Sequence, residues 1–174
     1  MRVLGPLALL FVLVPVLHLM LAKPRVHAEF WPNGSLKSEY TMRRGWNGDL
    51  VADGPYRSRH ASGQIETDGL YERGHETGGW TWYDSTGNTI ARCSFDGGIG
   101  RFEGFFPSGK LQTAGTMRGM VRVGRWTEWY ENGNKRMQGD FVDGKQHGQW
   151  SYWSESDSTN IRRLVWEHGR ALNP

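Results

Sequence analysis

Glycines recur along this chain at a nearly constant interval, and this interval restricts the possible folds more than any other feature. Those at the predicted turns are Gly34, Gly63, Gly87, Gly109 and Gly133, with spacings of 29, 24, 22 and 24 residues. Aromatic residues keep the same period, at Tyr56, Trp80, Phe102, Trp126 and Trp150. A period near 24 residues that is sustained over five copies is typical of a repeat array.

Each repeat has the pattern of a β-hairpin. An aromatic strand beginning at Trp126 runs into Asn132-Gly133, and a second strand then continues to Phe141 before another glycine turn at Gly144. We expect positive φ at both residues of the Asn-Gly turn, as in tight hairpins. No helical period longer than a turn or two appears after residue 30. The sequence therefore predicts an all-β fold, with about five antiparallel β-hairpin repeats in an extended single-layer or coiled sheet.

One repeat departs from the period. The unit from Phe95 to Phe102 is two residues short, and Cys93 occupies a position that is glycine in three other repeats. Those glycines are Gly69, Gly115 and Gly139. We expect the sheet to kink or tighten at the short unit.

The repeat pattern resembles a known family. The motif G-x-[FY]-x-x-G-K-x-x-G-x-W, with W-Y-x-N-G, resembles the MORN-type repeats, especially the variant in a bacterial antitoxin-like repeat family. The matching residues are Gly139, Phe141, Gly144, Lys145, Gly148, Trp150 and the turn Asn132-Gly133. The resemblance covers about residues 30–170, with departures at Cys93, Tyr56 and Phe102. It implies a scaffold or interaction module, sometimes membrane-associated, without chemistry of its own.

Residues 3–22 form an apolar run without a charged side chain, which predicts a hydrophobic helix long enough to cross a membrane. Its membrane-facing residues would include Val3, Leu10, Leu13, Leu17 and Leu21. Two interpretations are open. A cleaved signal peptide would end at Val26-His27-Ala28, before Glu29, whereas a retained anchor would be followed by Lys23 and Arg25. We therefore divide the chain into a leader, 1–28, and a MORN-like β-hairpin repeat domain, 29–174.

The charge balance restricts location and partners. Lys and Arg total 21 against 18 Asp and Glu, and this small, evenly spread excess does not favour nucleic acid. Lys23 and Arg25 would hold their side of an anchor in the cytoplasm. A leader with a single downstream domain more often exports that domain. We favour the exported side, periplasmic or extracellular.

Alternation along the strands predicts two aromatic rows on opposite faces. The first row is Tyr56, Trp80, Phe102, Trp126 and Trp150, and the second is Tyr83, Phe105, Trp129 and Trp153. In one interpretation both rows are structural, and the second only pairs across strands. In the other, the second row is an exposed stripe that contacts a protein, a membrane or a sugar.

The sequence contains no recognised catalytic or nucleotide-binding motif, and its histidines do not recur in register. The single cysteine, Cys93, excludes an internal disulfide framework and thiolate metal clusters. We therefore expect a non-enzyme without cofactor or metal. It would be a membrane-associated or exported scaffold that binds a protein partner, and a membrane-embedded partner would make it an accessory subunit of a membrane complex. The alternative is an exported carbohydrate or cell-wall binding module.

Overall fold

The structure, a computed structural model, describes residues 23–45, 47–157, 159 and 161–172. Thirteen strands form one open antiparallel sheet in which neighbours in the chain are neighbours in space. They are β1 (Arg25–Phe30), β2 (Leu36–Arg44), β3 (Leu50–Arg59), β4 (Ile65–Glu72), β5 (His75–Tyr83), β6 (Thr89–Asp96), β7 (Ile99–Phe105), β8 (Leu111–Arg118), β9 (Val121–Trp129), β10 (Lys135–Val142), β11 (Lys145–Trp153), β12 (Ile161–Glu167) and β13 (Arg170–Ala171). The prediction of an all-β array of antiparallel hairpins is confirmed; the predicted leader helix, 3–22, lies outside the described residues.

The loops with the periodic glycines differ from the predicted turns. The Gly133 amide donates to the Tyr130 carbonyl at 2.9 Å, and the Tyr130 amide donates to the Asn134 carbonyl at 2.8 Å. These bonds enclose a three-residue loop in which Gly133 has a φ of 90°. The expectation of positive φ at Asn132 is wrong, because in a three-residue loop only the final glycine has to be left-handed.

Two-residue loops lie at the opposite end of the sheet. Asp143 and Gly144 connect Val142 to its partner Lys145, with φ values of 48° and 78°. Positive φ at both loop residues is typical of turns whose twist matches that of the flanking strands. The same geometry recurs at Arg73-Gly74 and at His168-Gly169.

The sheet has one buried and one exposed face, as the alternation in β6 illustrates. Ala91, Cys93 and Phe95 are buried, whereas the residues between them are exposed. We call the buried side the inner face; it includes Trp80, Trp126 and Trp150, which are 1%, 2% and 1% exposed. We call the opposite side, with Arg92 and Ser94 of β6, the outer face.

Aromatic side chains cover the inner face. Neighbouring rings lie 5.4 Å apart at Tyr56–Trp80 and 5.5 Å apart at Phe102–Trp126, and Phe141 packs edge-on against Trp150 at 5.1 Å. Such ring pairs contribute about 0.5–1.5 kcal/mol each beyond the area that they bury. In the described residues a single sheet thus forms its own core.

The first strand crosses the predicted boundary between leader and repeat domain. Val26 pairs with Thr41 and Ala28 with Glu39, so residues 25–28 belong to the sheet. A cut after Ala28 would therefore remove most of β1.

Candidate interaction faces of the sheet

The indole of Trp150 lies flat on Gly139. A Cβ at this glycine would lie 2.2–2.4 Å from three atoms of the ring, a distance that no side chain can occupy. The ring nitrogen donates to the carbonyl of Asp140 at 3.2 Å. The same contact and bond recur where Trp80 lies on Gly69 and Trp126 on Gly115. The periodic glycines that precede these tryptophans are therefore ring platforms.

A bulge places each of these rings. Gln138 pairs with Ser151 and Asp140 with His147, so the single residue Gly139 lies opposite three residues, 148–150. The surplus of two residues begins at Gly148, whose φ of 70° favours glycine. Bulges increase local twist and redirect side chains. Matching shifts occur between β4 and β5 and between β8 and β9.

The short repeat lacks this bulge. Cys93 pairs with Phe102 and Phe95 with Gly100 in an unbroken ladder between β6 and β7. The two residues that the short unit lacks are those that form the bulge in the β10–β11 hairpin. The expected kink or tightening of the sheet at this unit stays a prediction. The Cys93 side chain is 2% exposed, and burial, followed by the Glu76 carboxylate, raises its pKa to about 12. A thiol in this state is not a nucleophile at neutral pH.

The second aromatic row lies on the outer face, at the end with the three-residue loops. Its members, Tyr83, Phe105, Trp129 and Trp153, are the last residues of β5, β7, β9 and β11 and are partly buried. Alternate strands are about 10 Å apart, so the row spans about 30 Å. The guanidinium of Arg92 lies 5.8 Å from the centre of the Phe105 ring, and the Lys135 ammonium lies 5.8 Å from that of Trp153. The predicted binding residues are thus brought into one row with two cations.

A basic depression of about 270 Å³ lies at the β1 end of the sheet. It is lined by Lys23, Pro24, Arg25, Met42, Arg43, Arg44 and Leu50. Sequence analysis noted Lys23 and Arg25 but missed Arg43 and Arg44, because only the pairing of β1 with β2 brings the two sets together.

The described residues contain no group of three or more His, Cys, Asp or Glu side chains that could bind a metal ion. The ring centres of His147 and His168 lie 5.3 Å apart, but two histidines alone do not make such a group. In the same part of the chain, no helix combines the length and the apolar character that a membrane crossing requires.

One repeat is identified by comparison with known proteins. Residues 122–143, in β9, β10 and the loop between them, match the family described as MORN repeat variant. No curated protein matches the chain. The matched segment includes Trp126 and the ring platform Gly139, and the same glycine–tryptophan contact recurs in other hairpins. The chain therefore contains a segment similar to the MORN repeat variant, within an array of hairpins that repeat the same contact.

Proposed function

We propose that this chain is a non-enzymatic interaction protein, membrane-associated or exported by its leader, whose outer face binds a partner protein. The main supporting observation is the difference between the two faces. The inner face is covered by its own aromatic side chains, and its three tryptophans are at most 2% exposed. The outer face of the same sheet is exposed along two neighbouring strands, at Arg92 and Ser94 of β6 and at Arg101 and Glu103 of β7. A broad uncovered surface suits binding better than a reaction.

The aromatic row on the outer face is the proposed contact. Partly buried aromatic residues lose little conformational freedom on binding, and tryptophan, tyrosine and arginine dominate the energetics of protein interfaces. A row of about 30 Å is long enough for an interface of about 800 Å² per partner. Arg92 and Lys135 lie against the row, and they favour a partner that presents apolar groups with carboxylates near them.

Membrane association belongs to the same proposal. The basic depression adjoins Lys23, which directly follows the apolar run 3–22. Cations at the end of such a run are attracted to anionic head groups. We propose an accessory subunit that is held beside a membrane-embedded partner. A relation to the bacterial antitoxin-like repeat family is also part of the proposal, and it is supported only by the sequence motif of residues 139–150.

A carbohydrate-binding module is the second candidate. Aromatic rings in a row can stack on successive sugar rings, and the spacing of the outer row favours this candidate. However, Arg92 and Lys135 lie over two of the four rings and reduce the area open for stacking.

The experiment is capture of partners from native membranes in mild detergent with the tagged full-length chain. We expect one stoichiometric protein partner, and at least a tenfold lower yield with the double variant Trp129→Ala, Trp153→Ala. The matched control is Leu70→Ala, Val142→Ala, which removes exposed apolar side chains near the two-residue loops.

Equal capture by the wild type and the aromatic double variant, with both shown to be folded by circular dichroism, would contradict the proposed contact. Binding to isolated wall polymer that is lost in the same double variant, without a protein partner, would establish the carbohydrate candidate instead.

A further inference from the structure

The free edge of β1 is the most exposed apolar element in the described part of the chain. One edge of β1 pairs with β2, and no described strand lies on the other. Val26 is 69% exposed and Phe30 62%, more than any other large hydrophobic residue described. An edge strand presents unpaired backbone donors and acceptors to another chain. At the far end of the sheet, β13 has only two residues, so β1 is the edge suited to pairing.

The charges of β1 are complementary to those of a second β1. Arg25, His27 and Glu29 lie on the inner face, opposite Met42, Tyr40 and Ser38 of β2. Arg25 forms no ion pair among the described residues, whereas Glu29 lies 3.5 Å from the Lys37 ammonium. If two copies of β1 run antiparallel, with each His27 opposite the other, each Arg25 lies opposite the Glu29 of the other copy.

We propose that two copies of this chain pair edge to edge through β1, centred on His27, and thereby join their sheets. A register shift between Glu29 and Phe30 ends the regular part of β1, so the regular segment is Arg25–Glu29. Antiparallel pairing that uses all of this segment has only one register, and His27 is its centre. Registers offset by one residue would place inner-face side chains opposite outer-face ones.

The pairing continues interactions that each sheet already contains. The His27 ring lies 4.9 Å from that of Tyr40, at the end of the inner aromatic array. Two opposed His27 rings therefore connect the arrays of both copies, while Val26 packs on Ala28 of the other copy across the outer face. A five-residue pairing buries little surface, so we expect a dimer that dissociates at a concentration on the order of 10 µM.

The test uses sedimentation equilibrium of the full-length chain in mild detergent, after intact mass has shown which residues are retained. We expect a reversible dimer. Arg25→Glu and Glu29→Arg should each weaken self-association at least tenfold, because like charges then face each other. A mixture of the two single variants should form a heterodimer, and the double variant Arg25→Glu, Glu29→Arg should dimerise as the wild type does.

Restoration by charge exchange separates an interface from a folding defect, since Arg25 and Glu29 are both exposed in the monomer. A monomeric wild type overturns the proposal. So do single variants that dimerise as strongly as the wild type, since the leader rather than β1 would then hold the dimer, and single variants that do not pair when mixed. A mature chain that begins at Glu29 also overturns it, because that chain lacks most of β1.

Discussion

Two kinds of hairpin lie between β4 and β11, and they differ by two residues. In β10–β11 the ring of Trp150 lies on Gly139, opposite a bulge, whereas in β6–β7 the ladder is continuous and Phe102 faces Cys93. The bulge, the tryptophan and the glycine under its ring occur together in the first kind, whereas in the second the ring of Phe95 lies on Gly100 without a bulge. A shift of the same size between β2 and β3 places Thr41 opposite residues 53–55 without a tryptophan. Between β4 and β11 these three features therefore act together, and the glycine under the tryptophan ring is required because a Cβ there would overlap the indole.

The bulged hairpins explain how a single sheet covers itself. The bulges in β5, β9 and β11 each turn a tryptophan onto the strand before it, and the indole N–H donates to a backbone carbonyl there. A buried indole needs such a partner, because an unsatisfied donor would cost about 1–3 kcal/mol. In the short hairpin, side chains of neighbouring strands cover the inner face instead, since the ring of Trp82 in β5 packs against that of Phe102 at 5.8 Å.

The largest expected effect comes from filling a ring platform. Gly139→Ala places a methyl group 2.2 Å from the Trp150 ring, which has to leave its site, and we expect a loss of about 3 kcal/mol in the free energy of unfolding. Urea denaturation followed by tryptophan fluorescence measures it. The control, Gly79→Ala, adds a methyl group at a strand glycine with no atom within 4 Å and should change stability by less than about 0.5 kcal/mol. Equal losses of stability in Gly139→Ala and Gly79→Ala would mean that contact with the Trp150 ring is not what makes glycine necessary at position 139.

The next effect comes from removing the indole bond from a bulged hairpin. In the wild type the Trp126 indole donates to the Thr116 carbonyl at 3.1 Å. Trp126→Phe removes this hydrogen bond and leaves a smaller ring in the site, so we expect a loss of about 2 kcal/mol in the free energy of unfolding. Trp82→Phe is the matched control, because Trp82 lies on the same face without a described indole hydrogen bond. Its loss, measured by the same denaturation, should be below about 1 kcal/mol. A larger loss at Trp82 would contradict the role given to the bulge.

A smaller effect tests the cysteine of the short hairpin. Burial, then the Glu76 carboxylate, raises the pKa of Cys93 from 9.0 to about 12, and the same two causes raise that of Tyr71 from 10.0 to about 12. The unfolded chain then loses these protons first, so stability is complete below pH 9 and falls between pH 9 and 12. In Cys93→Ala the fall should begin nearer the ordinary tyrosine pKa of 10.0.

Urea denaturation across this pH range measures how the stability of Cys93→Ala depends on pH, and Tyr71→Phe is the variant for comparison. In that variant the fall should still begin near pH 9, since the buried thiol remains. Identical pH profiles for both variants and the wild type would show that neither group is protected from ionisation by the fold.

The 24-residue period was sufficient to predict the hairpins, and strand alternation placed Trp126 and Trp129 on opposite faces. The bulges escaped prediction, because the surplus of two residues is defined only by pairing with the strand opposite, and the glycine that begins it, such as Gly148, also fits a turn. The same limit explains the error at Asn132, where loop length rather than the Asn-Gly pair decides φ. It also explains why Arg43 was missed beside Lys23, since strand pairing brings them together.

The smallest effect concerns an ion pair between successive bulged hairpins. Arg125, the middle residue of the β8–β9 bulge, contacts both carboxylate oxygens of Asp140 at 2.9 Å, but the two side chains are 62% and 40% exposed. Solvent screening makes such a pair weak, so Asp140→Asn should cost about 0.5 kcal/mol at low salt and nothing measurable in about 1 M NaCl. Asp96→Asn in the short hairpin, where no described ion pair forms, is the control and should be neutral at both salt concentrations. A salt-independent loss at Asp140 would mean that its carboxylate holds the neighbouring bulge in place, and the bulged unit would then include a fourth residue.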